Sequence, residues 1–307
     1  MIKVSVIIPV YNAEKFISEC LKSVLNQSLK EIEVVCIDDG STDNSAKIIR
    51  EYQMLDNRVK LYYQKNSGSG SARNNAIINH ACGEFIAFMD SDDWYPETNN
   101  LEILYTKAKA NDVKIVGGSF VRYYSDGRVE SEFKGVYKAY KFEKEEIIDY
   151  RDYQFDYGYH RFIYNLDMLK QNSILFPDYR RFQDPPFFVK AMLTSKRFYA
   201  LTIPVYAYRK GHQTINWDVQ KLIGLIQGLQ EDLMISRRNK LENLHGMTVM
   251  RLEKEFSNLF LKYLDKSCNL GLEVALKRFY STIDYELLNK SNFPFDQKNS
   301  NFIGKFI

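Results

Sequence analysis

Three acids stand within four residues at the end of an apolar run. The stretch FIAFMDSDDWYP, residues 85 to 96, leads directly into Asp90, Asp92 and Asp93. Carboxylates this close repel one another and resist burial, so they require solvent, a cation or a raised pKa. Two carboxylates together with phosphate oxygens suit Mg²⁺ or Mn²⁺, which prefer hard oxygen ligands. The motif alone is equally compatible with a solvated turn that caps the next helix.

Three further polar clusters each follow a predicted strand. Tyr11 and Asn12 follow the first strand, DDGSTD at 38–43 ends the second, and NSGSGSARN at 66–74 follows the third. In an α/β sheet, ligands bind at the edge where the carboxyl ends of the parallel strands meet. Four polar loops at equivalent positions therefore favour one shared binding site.

The residue types in these loops suit a nucleotide. A helix cap requires only one acid, whereas Asp38 and Asp39 are two adjacent ones. Asp39 could accept a hydrogen bond from a base N–H. Gly68 allows close approach of the backbone, and Arg73 offers a forked donor to phosphate. The loop lacks the lysine of a P-loop and the G-x-G-x-x-G of a dinucleotide fold, so neither ATP hydrolysis by that mechanism nor hydride transfer is supported.

Strands and helices alternate in the elements that must position these loops. Apolar runs and helical spacing predict strands at 4–10, 32–38, 59–63, 85–89 and 114–118, and helices at 14–26, 42–52, 71–81 and 97–110. This alternation predicts an α/β fold with a mostly parallel sheet covered by helices. A hairpin is expected to turn at Asp126 and Gly127. From about 218 onward, amphipathic spacing predicts helices at 219–238, 249–264 and 270–280.

Composition limits the classes of partner. The chain has 307 residues, of which 45% are hydrophobic and 26% charged, and it can bury a large core. A net charge of +3 with mixed signs gives no reason to expect nucleic acid. The amino-terminal apolar run is too short for a signal peptide or a membrane span, so we expect a cytoplasmic protein. The cysteines lack metal-site spacing and are expected as buried free thiols: Cys20, Cys36, Cys82 and Cys268.

The four clusters, in this order, resemble the nucleotide-sugar domain of family 2 glycosyltransferases, which have the GT-A fold. The likeness is carried by VSVIIPVYNAEKFISECLKSVLNQS, EVVCIDDGSTDNS, NSGSGSARNNAI and GEFIAFMDSDDWYP. It is strong over residues 1 to about 120 and patchy to about 212. It implies a GT-A domain at 1–215, with a nucleotide-sugar half at 1–120 and an acceptor half at 121–215. A helical C-terminal subdomain is expected at 216–307.

The resemblance implies roles for individual residues. Asp90 and Asp92 match the D-x-D motif that meets the ribose and a divalent metal, Mn²⁺ or Mg²⁺. In the closing segment VYAYRKGHQTINW, His212 is a candidate metal or phosphate contact and Arg209 a secondary one. The residues expected to bind the nucleotide are Pro9, Tyr11, Asn12, Asp38, Asp39, Gly68, Arg73 and Asp90.

A catalytic base is implied by a later segment. Inverting transfer needs a carboxylate that takes the proton from the attacking acceptor hydroxyl. In the family this base is the aspartate of a late Glu-Asp pair, and Asp184 occupies its place in RRFQDPPFFVKAML at 180–193. Gln183 replaces the usual glutamate. A mere helix cap at Asp184, an enzyme with weakened or lost activity, and a hydrolase that uses water as acceptor therefore stay open.

The resemblance implies transfer of a sugar from a UDP-sugar to a glycan or lipid-linked acceptor, in bacterial capsule or lipooligosaccharide assembly. Two alternatives stay open: a sugar-nucleotide-binding protein without catalysis, and a Mg²⁺-dependent phosphatase of the haloacid dehalogenase type. The phosphatase class does not require the upstream sugar-nucleotide loops. A lipid-linked acceptor suggests peripheral contact with the inner face of the cell membrane, for which NFIGKFI at 301–307 is a candidate. The C-terminal helices are a candidate homodimer surface.

Overall fold

The computed structural model describes residues 1–212, 215–264 and 270–293. The chain forms two compact units. The first comprises Met1–Tyr153, Gly158–Phe176 and the described residues of Lys190–Thr214. The second comprises Gln154–Tyr157, Pro177–Val189 and the described residues from Ile215 onward. The second unit therefore takes two short segments from the middle of the sequence, and the predicted domains at 1–215 and 216–307 stay a prediction.

A mixed β-sheet forms the centre of the first unit. Its strands are β1 (Val4–Val10), β2 (Ile32–Asp38), β3 (Val59–Tyr63), β4 (Phe85–Phe88), β5 (Ile115–Tyr124), β6 (Val129–Glu130), β7 (Glu146–Asp149), β8 (Phe162–Asn165) and β9 (Arg197–Lys210). They follow the order β3-β2-β1-β4-β8-β5-β9-β7, with β6 paired to β5.

The first half of the sheet has the predicted parallel arrangement. Strands β2 and β4 flank β1 in parallel, and β3 lies parallel to β2. Every residue of β1 and β2 is buried, as expected of parallel strands covered on both faces. The loops after these four strands therefore emerge at one edge of the sheet.

Antiparallel pairs enter the sheet in its second half. Strand β8 runs antiparallel to both β4 and β5, and β7 runs antiparallel to β9. The predicted hairpin is present, because β5 pairs antiparallel with β6 and Gly127 takes a positive φ of 84° in the turn. The sequence prediction did not include β7, β8 and β9, whose pairing partners lie far away along the chain.

Seven α-helices begin in the part of the chain before residue 200 that the structure describes. In the first of them, the buried residues Ile17, Cys20, Leu21 and Val24 form the predicted apolar stripe. A π-helical turn, Ala76–His80, continues the third helix. The helices are α1 (Ile17–Leu25), α2 (Ser45–Leu55), α3 (Ser69–Asn75), α4 (Asn100–Ala110), α5 (Tyr150–Tyr153), α6 (Leu166–Gln171) and α7 (Asp184–Ser195).

Helices make up the C-terminal part of the second unit. They are α8 (Val219–Asn239), α9 (Glu242–Met250), α10 (Ser257–Leu264), α11 (Leu270–Thr282) and α12 (Tyr285–Lys290), with a π-helical segment at Arg251–Phe256 between α9 and α10. The amphipathic spacing predicted those near 219–238, 249–264 and 270–280, but it missed the helices Glu242–Met250 and Tyr285–Lys290. Leucines of α8 at positions 222, 225, 229 and 233 pack in one core with apolar residues of α11. None of the described helices combines the length and apolar character needed to cross a bilayer.

The cysteine prediction is correct at two positions and wrong at a third. Cys20 and Cys36 are buried free thiols, whereas Cys82 is an exposed one, because it lies in the turn that precedes β4. Cys268 and the segment 301–307, for which membrane contact was suggested, lie outside the described residues.

A serine, a histidine and an aspartate meet in the second unit without forming a nucleophilic triad. Nδ1 of His245 lies 2.8 Å from Oγ of Ser236, and the backbone N–H of Asp284 donates to Nε2 at 2.9 Å. The aspartate therefore contributes its amide instead of its carboxylate. Both His245 and Ser236 are fully buried, so no substrate reaches them. The role of this cluster is to join three helices.

We predict that His245 makes the second unit less stable in mild acid. Burial, aided by Arg237 and opposed by Asp284, lowers the pKa of His245 to about 4. Because the folded state favours neutral imidazole, stability is complete above the unfolded pKa of about 6.5 and falls as the pH decreases to about 4, by about 3 kcal/mol. Urea unfolding between pH 8 and pH 4 measures this slope.

His245→Gln should unfold more easily at pH 8 and show a flatter pH dependence. The matched variant is His80→Gln, which replaces a half-buried imidazole stacked on Tyr62. It should retain most of the wild-type slope. An unchanged slope in His245→Gln would contradict the assignment.

Candidate active site

Hydrogen bonds join the loops after β1 and β2. Asn12 has a positive φ of 50°, and its Oδ1 accepts from the backbone N–H of Thr42 at 2.8 Å. The backbone N–H of Asn12 in turn donates to Oγ of Ser41 at 3.1 Å. Asp38, the last residue of β2, accepts from the backbone N–H of Ser41 at 3.0 Å. Asn12 and Asp38 therefore shape a single two-loop surface.

Asp39 joins the second loop to the glycine-rich loop. Its Oδ1 accepts from Nε2 of Gln64 and from the backbone N–H of Ser67, each at 2.8 Å. Its Oδ2 accepts from the backbone N–H of Gly68, also at 2.8 Å. Gly68 has a φ of 91°, which favours glycine at this position. In this structure the buried carboxylate of Asp39 organises a loop, and its predicted contact with a base stays a prediction.

Arg73 joins the glycine-rich loop to the acids after β4. Its guanidinium donates to Oδ1 of Asp90 at 2.6 Å and lies over the rings of Tyr159 and Phe176, with centroids at 5.1 and 5.3 Å. Only 4% of the Arg73 side chain is exposed, against 28% for Asp90. The aromatic rings therefore hold a buried cation against the first acid, and all four predicted loops are connected.

Asp92 and His212 are in direct contact. Nε2 of the histidine lies 2.7 Å from Oδ2 of the aspartate, and the ring of Phe16 meets the imidazole edge-on at a centroid distance of 4.8 Å. Among the described residues, Nδ1 of His212 has no hydrogen-bond partner. Two of the three residues predicted to contact a metal are thus brought together.

Asp93 is the buried member of the acid turn, by which we mean residues Asp90–Asp93. Its Oδ2 accepts from the hydroxyl of Tyr206 at 2.7 Å, and its Oδ1 accepts from the backbone N–H of Arg209 at 2.7 Å. The same tyrosine oxygen accepts from the backbone N–H of Asp90 at 3.1 Å. Tyr206 therefore attaches both ends of the acid turn to β9.

Arg209 acts on the backbone of the acid turn. Its Nε donates to the carbonyl oxygen of Asp92 at 2.8 Å, and its terminal nitrogen pairs with Glu19 at 2.6 Å. The guanidinium lies over the rings of Phe16 and Trp94, with centroids at 5.1 and 4.6 Å. In this structure Arg209 thus supports the turn, and its predicted contact with phosphate stays a prediction.

Negative charge accumulates in the acid turn. Burial and the charge of Asp90 raise the pKa of Asp92, although the hydrogen bond with His212 opposes the shift. Burial, together with Asp90 and Asp92, raises the pKa of Asp93 well above its usual range. Within the described residues, no three His, Cys, Asp or Glu side chains form a complete metal site by themselves. The excess of negative charge nevertheless favours a cation at this turn.

A comparison with known protein families decides the family. The model described as "Glycosyl transferase family 2" matches residues 5–172. The chain belongs to this family. The match includes the four connected loops and ends before Asp184, so it covers the nucleotide-sugar motifs and not the candidate base.

Several curated relatives are also named as glycosyltransferases. Glycosyltransferase GlyG of Streptococcus pneumoniae is 32% identical over 213 residues, which are 67% of this chain and 70% of that protein. The uncharacterized glycosyltransferase EpsJ of Bacillus subtilis is 33% identical over 216 residues, or 69% of this chain and 62% of that protein. The poly(ribitol-phosphate) beta-N-acetylglucosaminyltransferase TarS of Staphylococcus aureus is 32% identical over 212 residues, but the match covers only 35% of it. The aligned part thus spans less than two thirds of EpsJ and TarS.

Solved structures establish the fold. S. aureus TarS 1–349 in complex with UDP-GlcNAc matches with a TM-score of 0.69 at 24% identity, over 93% of this chain and 82% of that chain. The mannosyltransferase PcManGT from Pyrobaculum calidifontis, in complex with GDP-Man and Mn²⁺, matches with a TM-score of 0.54 at 17% identity, over 91% and 73%. The predicted GT-A fold and family 2 membership are confirmed.

The remaining predicted site residues of this family 2 chain differ in how far they are buried. Pro9 is buried in β1, opposite Ile37 of β2, whereas Tyr11 is 53% exposed at the edge of the sheet. Asp184 belongs to the second unit, where it is the first residue of α7. Its role as a base stays a prediction.

The sequence analysis missed two tyrosines that form hydrogen bonds with the acid turn. Tyr159 directs its hydroxyl toward Oδ1 of Asp90 at 3.4 Å, and Tyr206 binds Asp93. Neither residue lies near the acids in sequence. The high tyrosine content of this part of the chain was the only signal, and it does not indicate which ring meets which acid.

We predict that Tyr206→Phe destabilises the protein by about 2–4 kcal/mol, because it leaves a buried carboxylate and a partly buried backbone N–H each without one partner. The matched variant is Tyr105→Phe, which removes a hydroxyl that donates to Glu84 at 2.8 Å from a half-buried position. It should lose less than about 1 kcal/mol. Chemical unfolding of both variants measures the difference, and equal losses would contradict the role of Tyr206.

Proposed function

We propose that this protein is a divalent-metal-dependent, inverting glycosyltransferase that moves a sugar from a UDP-sugar to a hydroxyl of a glycan or lipid-linked acceptor. The observation that carries the proposal is the acid turn, in which Asp90 and Asp92 lie at the sheet edge with Arg73 and His212 as immediate partners. A turn with paired carboxylates beside a guanidinium and an imidazole suits a diphosphate and its metal ion.

The choice of donor rests on relatives. TarS has been crystallised with UDP-GlcNAc, and both TarS and a Bacillus spizizenii relative, 34% identical over 199 residues, are named as poly(ribitol-phosphate) glycosyltransferases. We therefore propose UDP as the nucleotide and synthesis of a bacterial surface polysaccharide as the setting. A lipid-linked acceptor would bring the enzyme to the inner surface of the membrane.

The residues present fit a divalent cation. Asp90 and Asp92 are oxygen donors. Burial and the neighbouring acids raise the pKa values of Asp92 and Asp93, so a bound cation would stabilise their charged forms. Asp90 and Asp92 would hold the ion, with His212 as a further candidate through an imidazole that already touches Asp92. When bound, the cation offsets the negative charge that grows on the departing diphosphate.

In the proposed reaction, the carboxylate of Asp184 takes the proton from the acceptor hydroxyl. The freed oxygen pair forms a bond to the anomeric carbon on the face opposite the diphosphate, whose bond to that carbon breaks with its electrons. Arg73 holds Asp90 in place throughout, because its guanidinium is buried between aromatic rings. The products are the glycoside with inverted configuration and UDP.

We predict that Asp184→Asn lowers transfer by at least about 100-fold and leaves UDP affinity within about twofold, because the amide cannot accept the proton. A screen of UDP-, GDP- and dTDP-sugars with Mn²⁺ first identifies the donor, and calorimetry then measures nucleotide binding. The matched control is Asp178→Asn, an exposed acid six residues upstream. Normal transfer by Asp184→Asn would remove the residue from the mechanism, and no turnover of any donor by the wild type would favour the sugar-nucleotide-binding protein.

We predict that Asp92→Asn removes most of the gain in UDP affinity that Mn²⁺ provides, because it removes one anionic oxygen ligand. Calorimetry of UDP binding with Mn²⁺ and with EDTA measures this gain. Asp167→Asn, at an exposed position on α6, is the control and should retain it. An equal gain in Asp92→Asn would contradict the proposed metal site.

A further inference from the structure

Helix α8 carries two glycines one turn apart, Gly224 and Gly228, in the interior of its 21 residues. Glycine is among the weakest helix formers, so two glycines at this spacing require a reason in packing. A Cβ at Gly224 would lie 3.0 and 3.1 Å from the backbone nitrogens of Arg180 and Arg181, and one at Gly228 would collide with the carbonyl oxygen of Phe182. The glycines therefore let the backbone of 180–182 lie directly on α8.

The segment that rests on these glycines is held in an unusual conformation. Phe182 has a φ of 64°, which is rare for a residue with a Cβ. Its ring packs on Tyr157 and Phe256, with centroids at 5.7 and 6.5 Å. All these residues belong to the second unit.

A second contact holds the same segment at its start. Tyr179 forms a hydrogen bond with Glu231 of α8, and burial together with that carboxylate raises the pKa of the phenol to about 12. The segment is therefore attached to α8 at Tyr179 and through the backbone at 180–182, and the ring of Phe182 attaches it to other parts of the same unit. Asp184 follows two residues later as the first residue of α7.

We propose that Gly224 and Gly228, through Phe182, are positioning residues for Asp184, so that the helical unit sets the place of the catalytic base. This inference rests on the proposed function. A general base must lie within hydrogen-bond reach of the acceptor hydroxyl, and a displacement of about 1 Å reduces the rate about 100-fold. A methyl group on α8 displaces the segment by pushing on its backbone, which cannot rotate away as a side chain can.

The test is Gly228→Ala in the 307-residue chain. We expect kcat to fall about 100-fold while the KM for the donor and the Kd for UDP stay within about twofold, since the nucleotide residues lie in the other unit. Gly224→Ala, whose Cβ would be less crowded, should lower kcat by about tenfold and serves as the second variant if Gly228→Ala unfolds. Thermal unfolding of each variant confirms that the protein assayed is folded.

The matched control is Gly246→Ala. Gly246 lies on α9 of the same unit, and a Cβ there would collide with the side-chain oxygen of Ser291 instead of the segment before Asp184. This variant introduces a steric clash in the same unit but away from the segment before Asp184, and it should retain kcat within about twofold. An equal fall in kcat for Gly246→Ala would overturn the inference.

A double variant separates the inference from the proposed function. If Gly228 acts through Asp184, adding Gly228→Ala to Asp184→Asn should lower the residual rate no further than about twofold. If the double variant instead shows the product of the two single losses, the positioning role is overturned and the proposed base is unaffected. The same holds if Gly228→Ala has normal kcat while Asp184→Asn shows a large loss. Full activity of Asp184→Asn would overturn the proposed base, and the inference with it.

Discussion

Mutual repulsion among the carboxylates of the acid turn is the constraint on which the rest of the site depends. Asp90, Asp92 and Asp93 lie within four residues at the end of β4. Arg73 compensates the first acid, His212 contacts the second, and the third is buried with neutral donors. Because these partners only partly offset the charge, the turn is suited to a ligand that brings a cation.

The order of strands in the sheet brings these partners to the acid turn. Strands β1 to β4 are parallel, so their carboxyl ends carry Asn12, Asp39, Arg73 and the acid turn to one edge. Strand β9 then contributes Tyr206 and Arg209 to the same turn. The second half of the sheet therefore supports an acid turn that lies on the first half.

The second unit places ionisable groups in its interior as well. Arg251 pairs with Asp156, and its guanidinium lies 3.6 Å from the ring centroid of Tyr157. Asp232 is buried beside them, where burial and the charge of Asp156 raise its pKa well above the usual range. A buried network of this kind ties the segment 154–157 to the C-terminal helices, because separating its members would leave a buried charge unpaired. The segment 154–157 is thus integral to the helical core of this unit.

The sequence by itself determined the elements of the first 120 residues and the identity of the polar loops, because apolar periodicity and strand-end position are local properties. It predicted β1, β2 and β3 with their observed bounds, and the family motifs selected Asp90, Asp92, Arg73 and His212. Only the tertiary structure decided which partner each acid receives. Tyr206 lies 113 residues from Asp93, and such a pairing depends on the order of strands in the sheet. The structure also assigned the segment 177–189 to the helical unit, since close contact between a backbone and two glycines leaves no periodic signal in a sequence.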